Sequence, residues 1–261
     1  MTTYLRYVAI GDSQTEGLGD GDETSGYRGW ADRLAEQLAH AEPEFTYANL
    51  AVRGRQAAQI RAGQLAPALA LRPDLVSVMA GMNDVVRPGF RPEPVAAEVE
   101  AMFAELTGAG AHVLTFTFPD LTRLTPALAA LRPRLTDFNG RLLDAAARHG
   151  VTVVDASGSA VTVDPRMWSS DRLHASPAGH ARIARAAAEA LALPGSDASW
   201  RDPLPPLPPL PAWRRTALDL AWAGSFLGPW AWRRLTGRSS GDGRHAKRPE
   251  PTPVHAVSAR G

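Results

Sequence analysis

The chain has 261 residues, of which 44% are hydrophobic and 21% charged, and a formal net charge of +1. That length allows one core of roughly 200 residues plus an appendage, and the composition is that of a soluble globular protein. The absence of cysteine excludes disulfides and thiolate metal sites, and no apolar run reaches the ~18 residues that would span a bilayer.

The near-neutral total conceals a polarity. Residues 212–261 hold nine Lys or Arg against three Asp or Glu, a local +6, so the rest of the chain carries −5. The N-terminus has no basic stretch followed by an apolar one, so no signal peptide is expected and the cytoplasm is the default location.

The first 193 residues alternate between strand and helix signals. Tyr4–Ile10 is an apolar strand candidate. Trp30, Leu34 and Leu38 then mark one face of a helix over Arg28–Ala41. Phe45–Leu50 reads as a second strand and Asp74–Met79 as a third, apolar enough to be covered on both faces. A helix follows Pro92 and Pro94, with Val95, Val99, Met102 and Leu106 on one stripe. His112–Phe118 and Val151–Val154 are the fourth and fifth strands. Between them Leu128–His149 reads as helix, broken or kinked at Pro133. Ser176-Pro177 has the form of an N-cap and first-turn proline for a last helix running to Leu193. Such alternation implies a mostly parallel five-stranded sheet with helices on both faces.

The chemistry collects behind the strands. Ser13 of Gly11-Asp12-Ser13 closes the first strand, at the rim where α/β folds keep reactive groups. A serine hydroxyl needs a base to become a nucleophile. Of the seven histidines only His174 combines a carboxylate three residues earlier, Asp171, with a place on a loop just before a helix. Such a carboxylate can fix the imidazole tautomer and stabilise its charged form. Gly54 follows the second strand and Asn83 the third, so a backbone N–H and a side-chain amide fall on the same rim as Ser13, where an oxyanion would need donors. Asp12 and Asp84 read as loop braces. Arg53 and Arg87, with Arg55, neighbour these donors and are candidates for an anionic part of a substrate, and Trp168 is a candidate pocket wall. The glycines miss the phosphate-loop and dinucleotide spacings, and the Asp20/Asp22 loop lacks the order of a calcium loop. No metal, cofactor or nucleic acid is expected.

These blocks, Gly11-Asp12-Ser13 with Gln14-Thr15-Glu16-Gly17, Gly54 after Asn49-Leu50-Ala51, Gly81-Met82-Asn83-Asp84, and Asp171-Arg172-Leu173-His174, resemble in content and order those of the SGNH (GDSL-type) hydrolase superfamily over residues 4–193. Gln14 stands where many members have leucine. The resemblance implies an α/β, flavodoxin-like three-layer sandwich with Ser13 as nucleophile, His174 as base and Asp171 as its orienting group. It also implies an oxyanion hole of the Ser13 and Gly54 N–H groups and the Asn83 amide. The expected reaction is hydrolysis of a carboxylic ester, of a lipid, a sugar or another small molecule, through an acyl-enzyme. An acyltransferase on the same residues and a non-catalytic binding protein of this fold are the alternatives.

Beyond the hydrolase-like region (1–193), residues 194–211 form a proline-rich linker or strap. Residues 212–237 form a Trp- and Arg-rich helical segment, and 238–261 a basic tail expected to be disordered. In the helical segment Trp213, Ala217, Leu220 and Ala221 share one face, widened by Leu218, Trp222 and Phe226. That face has two expected uses: covering the hydrolase body, or touching a membrane surface peripherally.

Overall fold

The computed structural model describes residues 3–120, 122, 124–229, 232 and 239–254. The first strand, β1 (Arg6–Gly11), is buried from its second residue onward. It lies between β4 (Thr46–Asn49) and β5 (Leu75–Met79), parallel to both. β6 (His112–Phe116) and β7 (Thr152–Val154) continue the parallel sheet beyond β5, while β2 (Gly21–Asp22) and β3 (Gly26–Tyr27) make a separate small hairpin. The strand order β7-β6-β5-β1-β4 is the doubly wound, flavodoxin-like arrangement, which opens a crevice at the C-terminal ends of β1 and β5, where the winding reverses.

The connecting segments cover the two faces. α2 (Trp30–Ala41) packs against α8 (Pro177–Ala190), and α6 (Pro92–Gly108) against α7 (Arg132–His149). Trp30 is fully buried and meets Phe116 of β6 edge-on, with ring centroids 4.6 Å apart. α8 starts as its sequence implies: the Ser176 hydroxyl accepts the Gly179 N–H at 3.1 Å, with Pro177 in the first turn. Pro133 does not kink a helix. A 3-10 turn over Pro126–Leu131 precedes α7, whose first turn holds Pro133, where the missing N–H has no helical acceptor to lose.

The sheet has six strands, one more than the sequence signals give. β8 (Arg248–Pro253) runs antiparallel along β4, within the tail expected to be disordered; residues 238 and 255–261 of that tail lie outside the described residues. β4 would otherwise be an open edge. Only alternate N–H groups of a strand face its neighbour, so prolines at 249, 251 and 253 are compatible with pairing on one side and oppose it on the other. Ion pairs fasten the approach to this strand: Lys247 to Asp32 at 2.6 Å and Arg244 to Glu23 at 2.9 Å.

The proline-rich strap follows α8 closely. Trp200 is buried and hydrogen-bonded to Glu189, and Arg182 donates to the carbonyls of Trp200 and Asp202. α9 (Ala212–Trp222) comes next and runs into a π-helical turn at Ala223–Leu227. Within the segment expected to be helical, residues 230, 231 and 233–237 lie outside the described residues, among them Trp230, Arg233 and Arg234.

Candidate active site

Gly11 ends β1 at a point with no room for a side chain: a Cβ there would sit 2.7 Å from the Met79 carbonyl oxygen and 2.6 Å from Thr15 Oγ1. The Gln64 amide grips the Gly11 backbone on both sides, accepting its N–H at 2.8 Å and donating to its C=O at 2.9 Å. The chain then turns at once into α1 (Ser13–Glu16), capped by Asp12, whose carboxylate accepts the Gln14 N–H at 3.2 Å. Ser13 is thereby held at the head of this short helix, at the sheet's C-terminal rim.

His174 reaches Ser13 from the opposite end of the sequence. Its Nε2 lies 2.9 Å from Ser13 Oγ, and its Nδ1 lies 2.6 Å from Asp171 Oδ2. The other Asp171 oxygen accepts the N–H groups of Leu173 and His174 and the Ser169 hydroxyl, at 2.9, 3.0 and 2.6 Å. Burial opposes ionisation of Asp171, but hydrogen bonding and charge from His174 and these neighbouring donors hold its carboxyl well below the usual carboxylate range. Asp171 is thus an anion at neutral pH that accepts from Nδ1–H and leaves Nε2 to face the serine.

Gln14, the residue that departs from the family pattern, holds the histidine loop. Its Nε2 donates to the Leu173 carbonyl at 2.9 Å, and its Oε1 accepts the Ala175 N–H at 3.2 Å. One side-chain amide therefore bridges the residues on either side of His174. An isolated polar side chain beside a serine gives no sign of this, because its partners lie about 160 positions later.

Gly54 and Asn83 line the same cavity as Ser13 and His174. Gly54 has φ +73°, the left-handed region that glycine enters without strain. Asn83, in α5 (Met82–Val85), donates its amide to Asp12 Oδ2 at 2.9 Å and to the Arg55 carbonyl at 3.1 Å, which ties the donor loop to the serine loop. Burial, partly offset by the Gln14 N–H, His174 and Asn83, pushes the Asp12 carboxyl up to about 6. Asp84 accepts the Ala57 N–H at 2.9 Å and braces the loop that carries Gly54.

The arginines depart from their expected use. Arg53 borders the cavity, but its guanidinium is buried against Glu16 and also pairs with Glu23 at 2.8 Å. Glu16 further accepts the Arg53 backbone N–H at 2.7 Å. A guanidinium committed to two carboxylates is a brace for the Gly54 turn rather than an anion receptor. Arg87 and Arg55 lie outside the cavity lining. Trp168 does line it, with its indole N–H fixed on the Thr162 carbonyl at 2.8 Å. Asp20, which the sequence weighs as a metal ligand, is paired with Arg33 at 2.6 Å.

The cavity measures about 360 Å³. From Ser13 it is bounded mainly by apolar side chains, including Met82, Phe116, Phe118, Val154, Trp168 and Ile183. The extension also reaches it: Trp200, Phe226, Ser239 and Ser240 complete the lining. Ser239 Oγ contacts the Gly54 carbonyl at 3.4 Å, and a Cβ on Gly241 would lie 2.1 Å from the Arg53 carbonyl oxygen. These contacts have no motif, and the tail's composition alone gave no reason to expect them.

Residues 9–182 match the model of the GDSL-like lipase/acylhydrolase family. The chain belongs to this family. It is accordingly a GDSL-type serine ester hydrolase, and residues 183–261, with the strap, α9 and β8, extend beyond the matched region. Solved structures agree on the fold. An α/β hydrolase enzyme, LAE5, from the metagenome of Lake Arreo, Spain, is 24% identical with a TM-score of 0.61, over 72% of this chain and 95% of that one. TesA is 24% identical with a TM-score of 0.60, over 71% and 97%. A single-residue variant of Axe2, an acetyl xylan esterase from Geobacillus stearothermophilus, is 21% identical with a TM-score of 0.59, over 74% and 95%. No match was found among curated proteins.

Proposed function

We propose that this enzyme hydrolyses carboxylic esters with an aliphatic acyl chain, using Ser13, His174 and Asp171 as a triad. The observation that carries the reading is the unbroken relay Ser13 Oγ–His174 Nε2 and His174 Nδ1–Asp171, at 2.9 and 2.6 Å. Ser13 Oγ attacks the ester carbonyl while its proton passes to His174 Nε2. The Ser13 and Gly54 N–H groups and the Asn83 amide receive the charge that grows on the carbonyl oxygen. Collapse of the adduct returns the proton from His174 to the departing alkoxide oxygen, leaving acyl-Ser13. Water, deprotonated by His174, then attacks the acyl carbon, and Ser13 leaves with the proton.

The apolar lining supports an aliphatic chain in preference to an acetyl group, because each buried methylene adds roughly 0.8 kcal/mol of binding. A series of p-nitrophenyl esters from acetyl to octanoyl tests both parts. Activity is expected to rise with chain length and to fall by several orders of magnitude in Ser13→Ala, and by ~10²–10³ in Asn83→Ala. Substantial turnover by Ser13→Ala would sink the mechanism, and a preference for acetate would sink the chain-length assignment. Adding alcohols and identifying the products separates hydrolysis from acyl transfer on the same residues.

A further inference from the structure

α9 turns its apolar stripe away from the protein. Trp213 and Leu220 are seven residues apart and nearly in line, whereas Trp222 lies about half a turn around the helix from both. Trp222 is the docked side: it is buried, donates its indole N–H to the Asp171 carbonyl at 2.8 Å, and lies under the Arg172 guanidinium, whose Cζ is 5.2 Å from the Trp222 ring centroid. Arg172 in turn pairs with Asp219 at 2.6 Å. Trp213 and Leu220 are 72% and 69% exposed. Surface helices ordinarily bury such a stripe, and a grouped apolar surface that stays outside marks a site of contact.

We propose that this outer face of α9 docks on an anionic lipid surface and sets the mouth of the ester site against it. The charge is complementary: residues 212–261 carry nine basic side chains against three acidic ones, and beyond Arg244 and Lys247, which pair with Glu23 and Asp32, Arg214 and Arg215 stand on α9 itself. Asp219 is already committed to Arg172, and Asp242 caps the Ser239 turn. The same excess of basic side chains opposes a second copy as the occupant, because two segments of like charge would meet. Continuity with the site is the second argument: Phe226, one turn beyond α9, is both partly exposed and part of the cavity lining. An acyl chain leaving a lipid surface there passes from one apolar environment to another. Among the described residues no helix is long and apolar enough to cross a membrane, so the contact is peripheral, as for other Trp-, Leu- and Arg-bearing interfacial helices. The direction of substrate entry, though not the docking itself, rests on the ester-hydrolase reading.

The test uses the full chain and flotation with phosphatidylcholine vesicles, with and without phosphatidylglycerol. The protein is expected to partition at least ~10-fold more strongly onto the anionic vesicles and to be released by salt. Trp213→Ser/Leu220→Ser should reduce that partitioning by roughly 10- to 100-fold, with turnover of a short soluble ester and the circular dichroism spectrum unchanged. Ser13→Ala should bind as the unaltered protein does, so a failure of the catalytic assignment leaves the binding readout intact. Equal partitioning of the double variant, or equal binding to vesicles with and without phosphatidylglycerol, would overturn the proposal. So would a lipid-free dimer that the double variant dissociates.

Discussion

Trp222 donates its indole N–H to the backbone carbonyl of Asp171 at 2.8 Å, so a helix beyond the matched family region grips the residue whose carboxylate is hydrogen-bonded to His174 Nδ1. The next residue, Arg172, has φ +57°, an unfavourable left-handed conformation for a non-glycine. It is held there between the Trp222 ring and Asp219.

Trp222→Phe keeps the apolar bulk and deletes this donor. One hydrogen bond contributes about 0.5–1.5 kcal/mol, so kcat is expected to fall roughly 2- to 10-fold with KM little changed. Trp213→Phe, on the opposite face, should change neither with a soluble ester. Steady-state kinetics of the two variants side by side check the assignment. Equal effects would show that α9 acts only as a general cover.

Gln14→Leu restores the residue common in the family and removes the amide bridge between Leu173 and Ala175. The expected result is a drop in kcat of about 10-fold, because two backbone groups beside His174 lose their partner and the imidazole can leave the line to Ser13. Gln14→Glu keeps an acceptor for the Ala175 N–H and loses the donor to Leu173, and should fall between the two. A Leu variant as active as the original would show that the loop is held by Trp222 and Asp171 alone.

Arg53→Met tests the reassignment of that arginine from substrate receptor to brace. Removing one partner of a buried ion pair strands the other, at a cost of about 3–5 kcal/mol, so Glu16 should make the variant markedly less stable to heat. The ratio of kcat/KM for a neutral ester to that for a carboxylate-bearing analogue should not change. A selective loss on the anionic ester would return Arg53 to substrate binding.

What the sequence reveals and what it conceals have distinct physical origins. Ser13, Gly54 and Asn83 follow successive parallel strands, and parallel strands end on one rim, so strand signals alone bring them together. His174 and Asp171 are legible because three residues separate them on one loop. β8 is not legible, because its prolines and charges carry no strand period; its pairing is decided by the open edge of β4 and by acids near the N-terminus, Asp32 and Glu23, some 200 residues away. α9 shows a third case. Its periodicity identifies an apolar stripe, but which face docks is decided by the carbonyl of Asp171 and by Arg172, partners that a helical period cannot disclose.

Asp12 gives the site a pH-dependent cost in stability. Its carboxyl is pushed up to about 6 by burial in the folded protein, against about 3.9 in an unfolded chain. Between those values the folded state binds the proton that the unfolded state has released, so this group makes the protein less stable as pH rises through roughly 4 to 6. The loss is complete above that window and amounts to about 3 kcal/mol at most, at 1.36 kcal/mol for each unit. Asp12→Asn has nothing to ionise. Thermal melts of the two proteins should therefore diverge in the variant's favour between pH 4 and 6 and run parallel above it, whatever offset the lost contacts to Gln14 and Asn83 impose. A difference that stays flat across that window would mean that Asp12 is already ionised at the acid end, with the Asn83 amide and Gln14 N–H stabilising its charge fully.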